Sequence, residues 1–243
     1  MKMDPSYLYF DSLHKQCRWY VINIFIILII SGEKKTKYIV YSTYREINVV
    51  SLQRHHHHRC GGSIIDQNNV ITAAHCLGGD IFNYSIQYGV IKIVPNDVNV
   101  IQAGKEFIHE FYDPGDKSND IAIIRFSAFS CGYGDNPFAQ SEHLQTAIVY
   151  ILSMEECKIN CTLCLHEDSQ ICANNKGSDT TRGACIGDSG SPLVKIFKGK
   201  EKLAGVLSGV LTPDGICGKN EYPMLFTKVS HYVNWIKEQL LKI

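Results

Sequence analysis

From about residue 48 onward, short apolar runs alternate with polar clusters rich in Gly, Asn, Asp and Pro. The runs are VVSLQ, GSII, VIT, VIKIV, DIAIIRF, TAIVYIL, KLAGVLSGV and MLFTKV. Each is the length of a strand rather than of a helix, and turn residues bound most of them. Many short strands of this kind predict an all-β sandwich or pair of barrels. Two places read as helix. Ser153 and Glu156 form a capping box, in which each side chain satisfies an orphan amide of the other. Ser230 is placed to cap a final helix over about 230–243, with Val233, Ile236, Leu240 and Ile243 recurring on one face.

The first 48 residues differ in texture. Residues 20–30 read YVINIFIILII, follow Lys15 and Arg18, and precede Ser31, Gly32 and the polar stretch EKKTK. A run this short matches a signal-peptide core and falls below the roughly 20 residues of a membrane span. A buried strand or helix is the competing reading, and a signal anchor a third. Residues 1–32 are therefore expected to be an N-terminal extension and signal peptide, with no membrane anchoring, and 33–38 a short pro-segment.

Composition changes the picture in two ways. The 24 basic residues balance 24 acidic ones, which gives no case for a nucleic-acid or anionic-membrane partner. Ten cysteines in 243 residues suggest disulfides and an oxidising, extracellular compartment. Asn83 and Asn160 open glycosylation sequons, a short pattern that often arises by chance. His55 to His58 form the one biased run. Adjacent side chains do not converge on one ion without a special backbone, so a solvated loop is the better reading.

Three segments carry candidate chemistry. CGGSII…VITAAHCL holds His75, NDIAIIRF holds Asp120, and GACIGDSGSPLV holds Ser189 in a glycine-flanked turn. A serine hydroxyl is a weak nucleophile at neutral pH and needs a base within reach; histidine is the suited side chain. A carboxylate must then fix the imidazole tautomer and stabilise the imidazolium. Flanking glycines let backbone amides point at a developing oxyanion. The chain order is His, Asp, Ser, which excludes the α/β-hydrolase order, and Ser191 breaks the G-x-S-x-G elbow.

These motifs in this order, with VSLQ before them and a YP…FTKVSHYVNWI tail after them, resemble the trypsin/chymotrypsin-like serine proteases over about residues 49–243. The resemblance implies two packed antiparallel six-stranded β-barrels with a C-terminal helix and the active site between them. The protease domain would cover 39–243, with the first barrel over about 39–126 and the second over about 131–229. Residue by residue, His75 matches the general base, Asp120 its orienting carboxylate and Ser189 the nucleophile. The amides of Gly187 and Ser189 match the oxyanion hole. Ser208 matches the serine beside the catalytic aspartate. Gly183, Val210 and Met224 match positions of the substrate pocket. A glycine at the base is unlike trypsin's aspartate, and Val210 and Met224 would fill the walls. The expected preference is for small or medium apolar side chains before the scissile bond, the alternative being a closed pocket. The resemblance also implies disulfides Cys60–Cys76, Cys157–Cys172 and Cys185–Cys217. Expected partners are protein or peptide substrates, an activating protease and protease inhibitors. No cofactor and no metal is expected; the family's calcium loop would lie near 89–100, where Asp97 stands without an acidic cluster.

Four features depart from the family. The mature chain of relatives begins Ile-Val-Gly-Gly, and its new amino group pairs with the aspartate before the nucleophile, here Asp188. This chain offers Ile39-Val40 without the glycines, so Ile39 and Asp188 are the expected activation pair. Only eleven residues separate Asp120 from Gly132-Tyr133-Gly134, which resembles the family's Gly-Trp-Gly. Residues 126–131 can span only about 20 Å at roughly 3.4 Å each, so a strand of the second barrel is expected to be missing and its partner edge open. Ser191 replaces a glycine, at a cost of roughly 1 kcal/mol if that backbone needs φ > 0 or a close approach. Cys17, Cys131, Cys161 and Cys164 have no family partners. The leading reading is a secreted serine endopeptidase; the alternative is a catalytically impaired homologue that binds a partner.

Overall fold

The computed structural model describes residues 8–9, 37–40, 49–66, 68–89, 99–126, 147–158, 166–174, 184–185, 187–197, 200–211 and 222–242. Two short strands, β1 (Leu8–Tyr9) and β2 (Lys37–Val40), precede the first barrel. Its strands are β3 (Val49–Arg54), β4 (His57–Ile64), β5 (Asn69–Thr72), β6 (Tyr84–Tyr88), β7 (Val100–Ile108) and β8 (Ala122–Phe126). The second unit follows with β9 (Ala147–Ile151), helix α1 (Met154–Lys158), β10 (Gln170–Asn174), β11 (Pro192–Phe197), β12 (Lys200–Val210) and β13 (Met224–Lys228). Helix α2 (Val233–Leu241) closes the chain.

The first six strands close into an antiparallel barrel in the order β3-β4-β5-β8-β7-β6. Its core is largely β-branched: Leu52, Val70, Ile71, Ile86, Ile121, Ile123 and Ile124 are all essentially inaccessible. Burying each such side chain contributes about 1.5–3 kcal/mol. Helix α2 packs against this same core through Trp235 and Ile236, together with Leu203 and Val206 of β12. The two units thus share apolar contacts, and the C-terminal helix belongs energetically to the first barrel.

Arg125 on β8 holds the end of that helix. Its guanidinium donates to the carbonyls of Gln239 (3.2 Å) and Leu240 (3.4 Å), and also to that of Lys242. A helix C-terminus leaves its last carbonyls short of intrahelical partners; here the Gln239 carbonyl also accepts from the Lys242 amide at 3.2 Å. A third arm of the same side chain, Nε, donates to Asn69 Oδ1 at 3.1 Å, and the guanidinium lies 5.1 Å from the Phe107 ring. The start of the helix differs from the sequence-based expectation. Ser230 falls in a preceding 3-10 turn, Val229–His231, and the residue at the helix N-cap is Tyr232, whose side chain makes no cap hydrogen bond. The capping box of α1 is present: the Glu156 amide donates to Ser153 Oγ (3.2 Å), and the Ser153 amide to Glu156 Oε2 (3.0 Å).

In the second unit β9, β10, β13, β12 and β11 curl as an antiparallel sheet. The edge expected to be open lies between β9 and β11, and β2 occupies it. Ile39 is the register partner of Ile148 on β9 and of Val194 on β11. Because β12 pairs with both β11 and β13, each of the six strands has at least two hydrogen-bonded neighbours, and β12 pairs with β1 as well. Lys37–Val40 pairs with strands of the second sheet rather than with the first barrel. The physical reason is the short link after β8: an unpaired strand edge inside a barrel is costly, and the sequence KYIV can supply the missing ladder. No helix among the described residues is long and apolar enough to cross a membrane. The segment 20–30, Asp97, Gly132 to Gly134, and Cys17, Cys131, Cys161 and Cys164 lie outside the described residues.

Candidate active site

His75 sits in a one-turn 3-10 helix, Ala74–Cys76, just beyond β5. The buried Ala74 and Cys76 anchor the turn, and a disulfide ties Cys76 to Cys60 on β4. Closing a 16-residue separation contributes about 3 kcal/mol in the chain-entropy picture. Asp120 precedes β8 and is wholly buried. Its Oδ2 lies 2.7 Å from His75 Nδ1, and its Oδ1 accepts the His75 backbone amide at 2.9 Å. Ser208 Oγ, itself buried, donates to the same Oδ2. Thr227 Oγ1 fixes the Asp120 carbonyl at 2.8 Å. A carboxylate without solvent is stable only when such donors surround it. Held in this way, it orients the ring with Nδ1–H toward the carboxylate and leaves Nε2 as the basic nitrogen.

The turn bearing Ser189 is clamped between the two units. The Gly61 amide of β4 donates to the Ser189 carbonyl at 2.6 Å, and the Gly190 amide donates to Leu207 on β12 at 2.7 Å. Gly187 and Gly190 adopt φ values of 97° and 83°, a region that side chains disfavour. At Gly190 a Cβ would lie 2.1 Å from the Gly61 carbonyl and 2.3 Å from Thr72 Oγ1. Ser191 is not among the residues of positive φ, so that part of its expected cost does not arise. Its hydroxyl instead uses space left by Gly61, where a Cβ would come within 2.2 Å of Ser191 Oγ. Ser189 Oγ makes no hydrogen bond to His75 in this structure. Nucleophile–base contacts are often long before substrate tightens them.

His58 departs from the solvated loop expected for the histidine run. His55, His56 and His57 are exposed, as a solvated loop requires, but His58 is not. Its Nδ1 lies 2.8 Å from Ser51 Oγ and its Nε2 3.0 Å from the Gly187 carbonyl. A carbonyl only accepts, so Nε2 carries a proton; Nδ1 of the neutral ring then accepts from the Ser51 hydroxyl. Burial pushes the His58 pKa down, against the Gly187 carbonyl and the Asp188 charge, which favour the protonated ring. Alternation along β4 could have revealed it, since His58 stands two positions before the buried Cys60. Asp188 is exposed as a residue, yet its carboxyl is crowded by surrounding protein. Burial raises its pKa, opposed by the Cys185 amide, which donates to Oδ2 at 2.7 Å, and by His58.

The expected activation pair is not assembled. Ile39 is in mid-strand between β9 and β11, while the Asp188 carboxylate is held by Cys185. Of the pocket residues, Val210 and Met224 are register partners and pack in one apolar cluster with Val149, Ala173 and Leu193. Met224 is only 4% exposed. Gly183 lies outside the described residues. Cys157 is bonded to Cys172. Cys185 is also disulfide-bonded, and its expected partner Cys217 lies outside the description. Cys60, His75 and Cys76 form a compact group of metal-ligand types, but the two sulfurs are joined to each other and are not thiolates.

The family model for trypsin matches residues 41–132 and 126–236. Curated relatives agree. The chain is 32% identical over 224 residues to Trypsin Blo t 3 of Blomia tropicalis, covering 77% of this chain and 79% of that one. It is 31% identical over 232 residues to Lectizyme of Glossina austeni (79% and 81% covered) and 27% identical over 235 residues to Kallikrein 1-related peptidase b27 of Mus musculus (79% and 84%). The barrels, the His75–Asp120 pair and the clamped Ser189 turn therefore occur in a chain that belongs to the trypsin-like serine protease family.

Proposed function

We propose that this trypsin-family chain is an active endopeptidase in which Ser189 is the nucleophile, His75 the general base and Asp120 the residue that orients it. The observation that carries this reading is the wholly buried Asp120 carboxylate, 2.7 Å from His75 Nδ1 and backed by Ser208. Such an arrangement serves an imidazole that must gain a positive charge during reaction. Ser189 Oγ attacks the substrate carbonyl while His75 Nε2 takes its proton. The tetrahedral oxyanion is met by the amides of Gly187 and Ser189; one such donor is worth roughly 3 kcal/mol in the transition state. The proton then passes from Nε2 to the leaving amine, an acyl-enzyme remains, and water completes hydrolysis by the reverse sequence.

The filled cluster of Val210 and Met224 supports a preference for small or medium apolar side chains before the scissile bond. Secretion is supported by the apolar run at 20–30 and by disulfides in the structure. The test is a peptide series differing only at the scissile residue, offered to the wild type and to Ser189→Ala. Cleavage after Ala or Val that exceeds cleavage after Phe and Lys, and is lost in the variant, is expected. Equal or greater cleavage after Lys would refute the pocket assignment. No Ser189-dependent cleavage of any peptide would refute the endopeptidase reading and favour a binding homologue.

A further inference from the structure

The turn that carries Ser189 runs directly into β11, whose first residue, Pro192, lies three positions further on. One edge of β11 is laddered to β12, from Pro192↔Val206 to Phe197↔Lys200. Among the described residues, its other edge meets β2, at Val194↔Ile39. Strand β9 leans on the same segment. Its ladder to β10 runs through Tyr150 and Ile151, and its ladder to β2 runs from Ala147 to Tyr150. Val149, in the middle of β9, is wholly buried in one apolar cluster with Ala173, Leu193 and Phe226. Leu193 belongs both to that cluster and to β11. The seat of β9, the second core and the strand that issues from the Ser189 turn are therefore coupled through β2.

Without β2, the facing edges of β9 and β11 would present unpaired backbone donors and acceptors. Edges of that kind capture an extended segment by strand addition. The link from β2 to the first barrel is the eight residues between Val40 and Val49, so after a cut there the ladders themselves would hold the strand. This support is distinct from a free amino terminus paired with Asp188. Ile39 is paired in mid-strand on both sides, and Asp188 Oδ2 accepts from the Cys185 amide at 2.7 Å. The Ser189 turn is otherwise fixed by the Gly61 amide and the Leu207 carbonyl, neither of which lies on the side of β11 that β2 occupies.

We propose that the slot between β9 and β11 is a strand-binding site for the chain's own segment Lys37–Val40, which through β11 positions the turn carrying Ser189 and stays bound after a cut between Val40 and Val49. The inference rests on the endopeptidase reading only for the role of Ser189, and the test separates the two. The full-length Ile39→Pro chain cannot seat its own strand, because proline removes a ladder donor. A fluorescent peptide of residues 35–42 should bind this variant, followed by anisotropy. It should bind the wild type roughly ten-fold or more weakly, since the tethered strand competes at high effective concentration. Hydrogen exchange across residues 187–194 should quicken by roughly ten-fold in the variant and slow again when the peptide is added. Fluorophosphonate labelling of Ser189 should fall by a similar factor and recover with the peptide, as a displaced turn requires. A second chain, native except for a site-specific protease recognition sequence in place of residues 42–47, gives a measurement that does not depend on the folding of the variant. After cutting, its N-terminal piece should co-elute with the rest in gel filtration and be displaced by excess peptide. Equal peptide binding by wild type and variant, exchange across 187–194 that Ile39→Pro leaves unmoved or that the peptide does not restore, or release of the N-terminal piece on cutting overturns the proposal. Exchange that follows the peptide while Ser189 takes no label in any form would preserve it and sink the endopeptidase reading. Labelling of Ser189 at one rate in every form would do the reverse.

Discussion

Substituting Gly190 by Ala tests whether the Ser189 turn is held by the contact between the two units. In the present backbone the new Cβ would lie 2.1 Å from the Gly61 carbonyl and 2.3 Å from Thr72 Oγ1, against a closest real approach of 3.0 Å. Neither neighbour can yield cheaply. The Gly61 carbonyl accepts from Thr72 at 2.8 Å, and the Gly61 amide donates to Ser189. Relief requires the turn to move by about 1 Å, and a misplacement of that size costs roughly 100-fold in rate. The positive φ of 83° adds strain for any side chain and about 1 kcal/mol of instability. The assay is kcat/KM on an Ala peptide substrate, with Tm measured alongside. The expected result is a loss of about 100-fold with Tm lowered by several degrees. Activity within three-fold of wild type and an unchanged Tm would refute the clamp.

Other predictions follow from the same geometry. Ile39→Pro removes a ladder donor from β2 and should cost about 1–3 kcal/mol; a Tm equal to wild type would show that the segment does not complete the second sheet. Arg125→Met strips the α2 carbonyls of their shared donor and should lower stability by about 1–3 kcal/mol, with Arg125→Lys recovering only part because an ammonium lacks the fork; full recovery by Lys would argue against that geometry. Burial lowers the His58 pKa, so the unfolded chain binds this proton more readily. The contribution of His58 is complete above its ordinary value of 6.5 and is lost as pH falls through the lowered one. The raised pKa of Asp188 acts with the opposite sign at lower pH, so the readout is the difference in stability between wild type and His58→Gln across that window. A difference that grows in the variant's disfavour toward acid would contradict the assignment.

The sequence made the first barrel and the His75–Asp120 pairing legible because both are written locally. Alternating short strands end in turns, and His75, Asp120 and Ser189 each sit in a motif whose chemistry explains its neighbours. The role of Lys37–Val40 was not legible. Four residues fit a strand of either barrel equally well, and the partners that place them, Ile148 and Val194, lie more than a hundred residues away. His58 was hidden by its three exposed neighbours, although the alternation through Cys60 marks it as inward-facing. The Ser230 cap failed because a 3-10 turn intervenes before α2.

The central claim is that Ser189 is a nucleophile activated by the His75–Asp120 pair. It is tested most directly by reacting the full chain with a serine-directed fluorophosphonate and mapping the adduct by peptide mass analysis, with Ser189→Ala and Asp120→Asn in parallel. The account predicts a single adduct on Ser189, absent from the first variant and formed orders of magnitude more slowly in the second. A folded wild-type chain that takes no label either before or after limited proteolysis, or takes it as fast without Asp120, would contradict it.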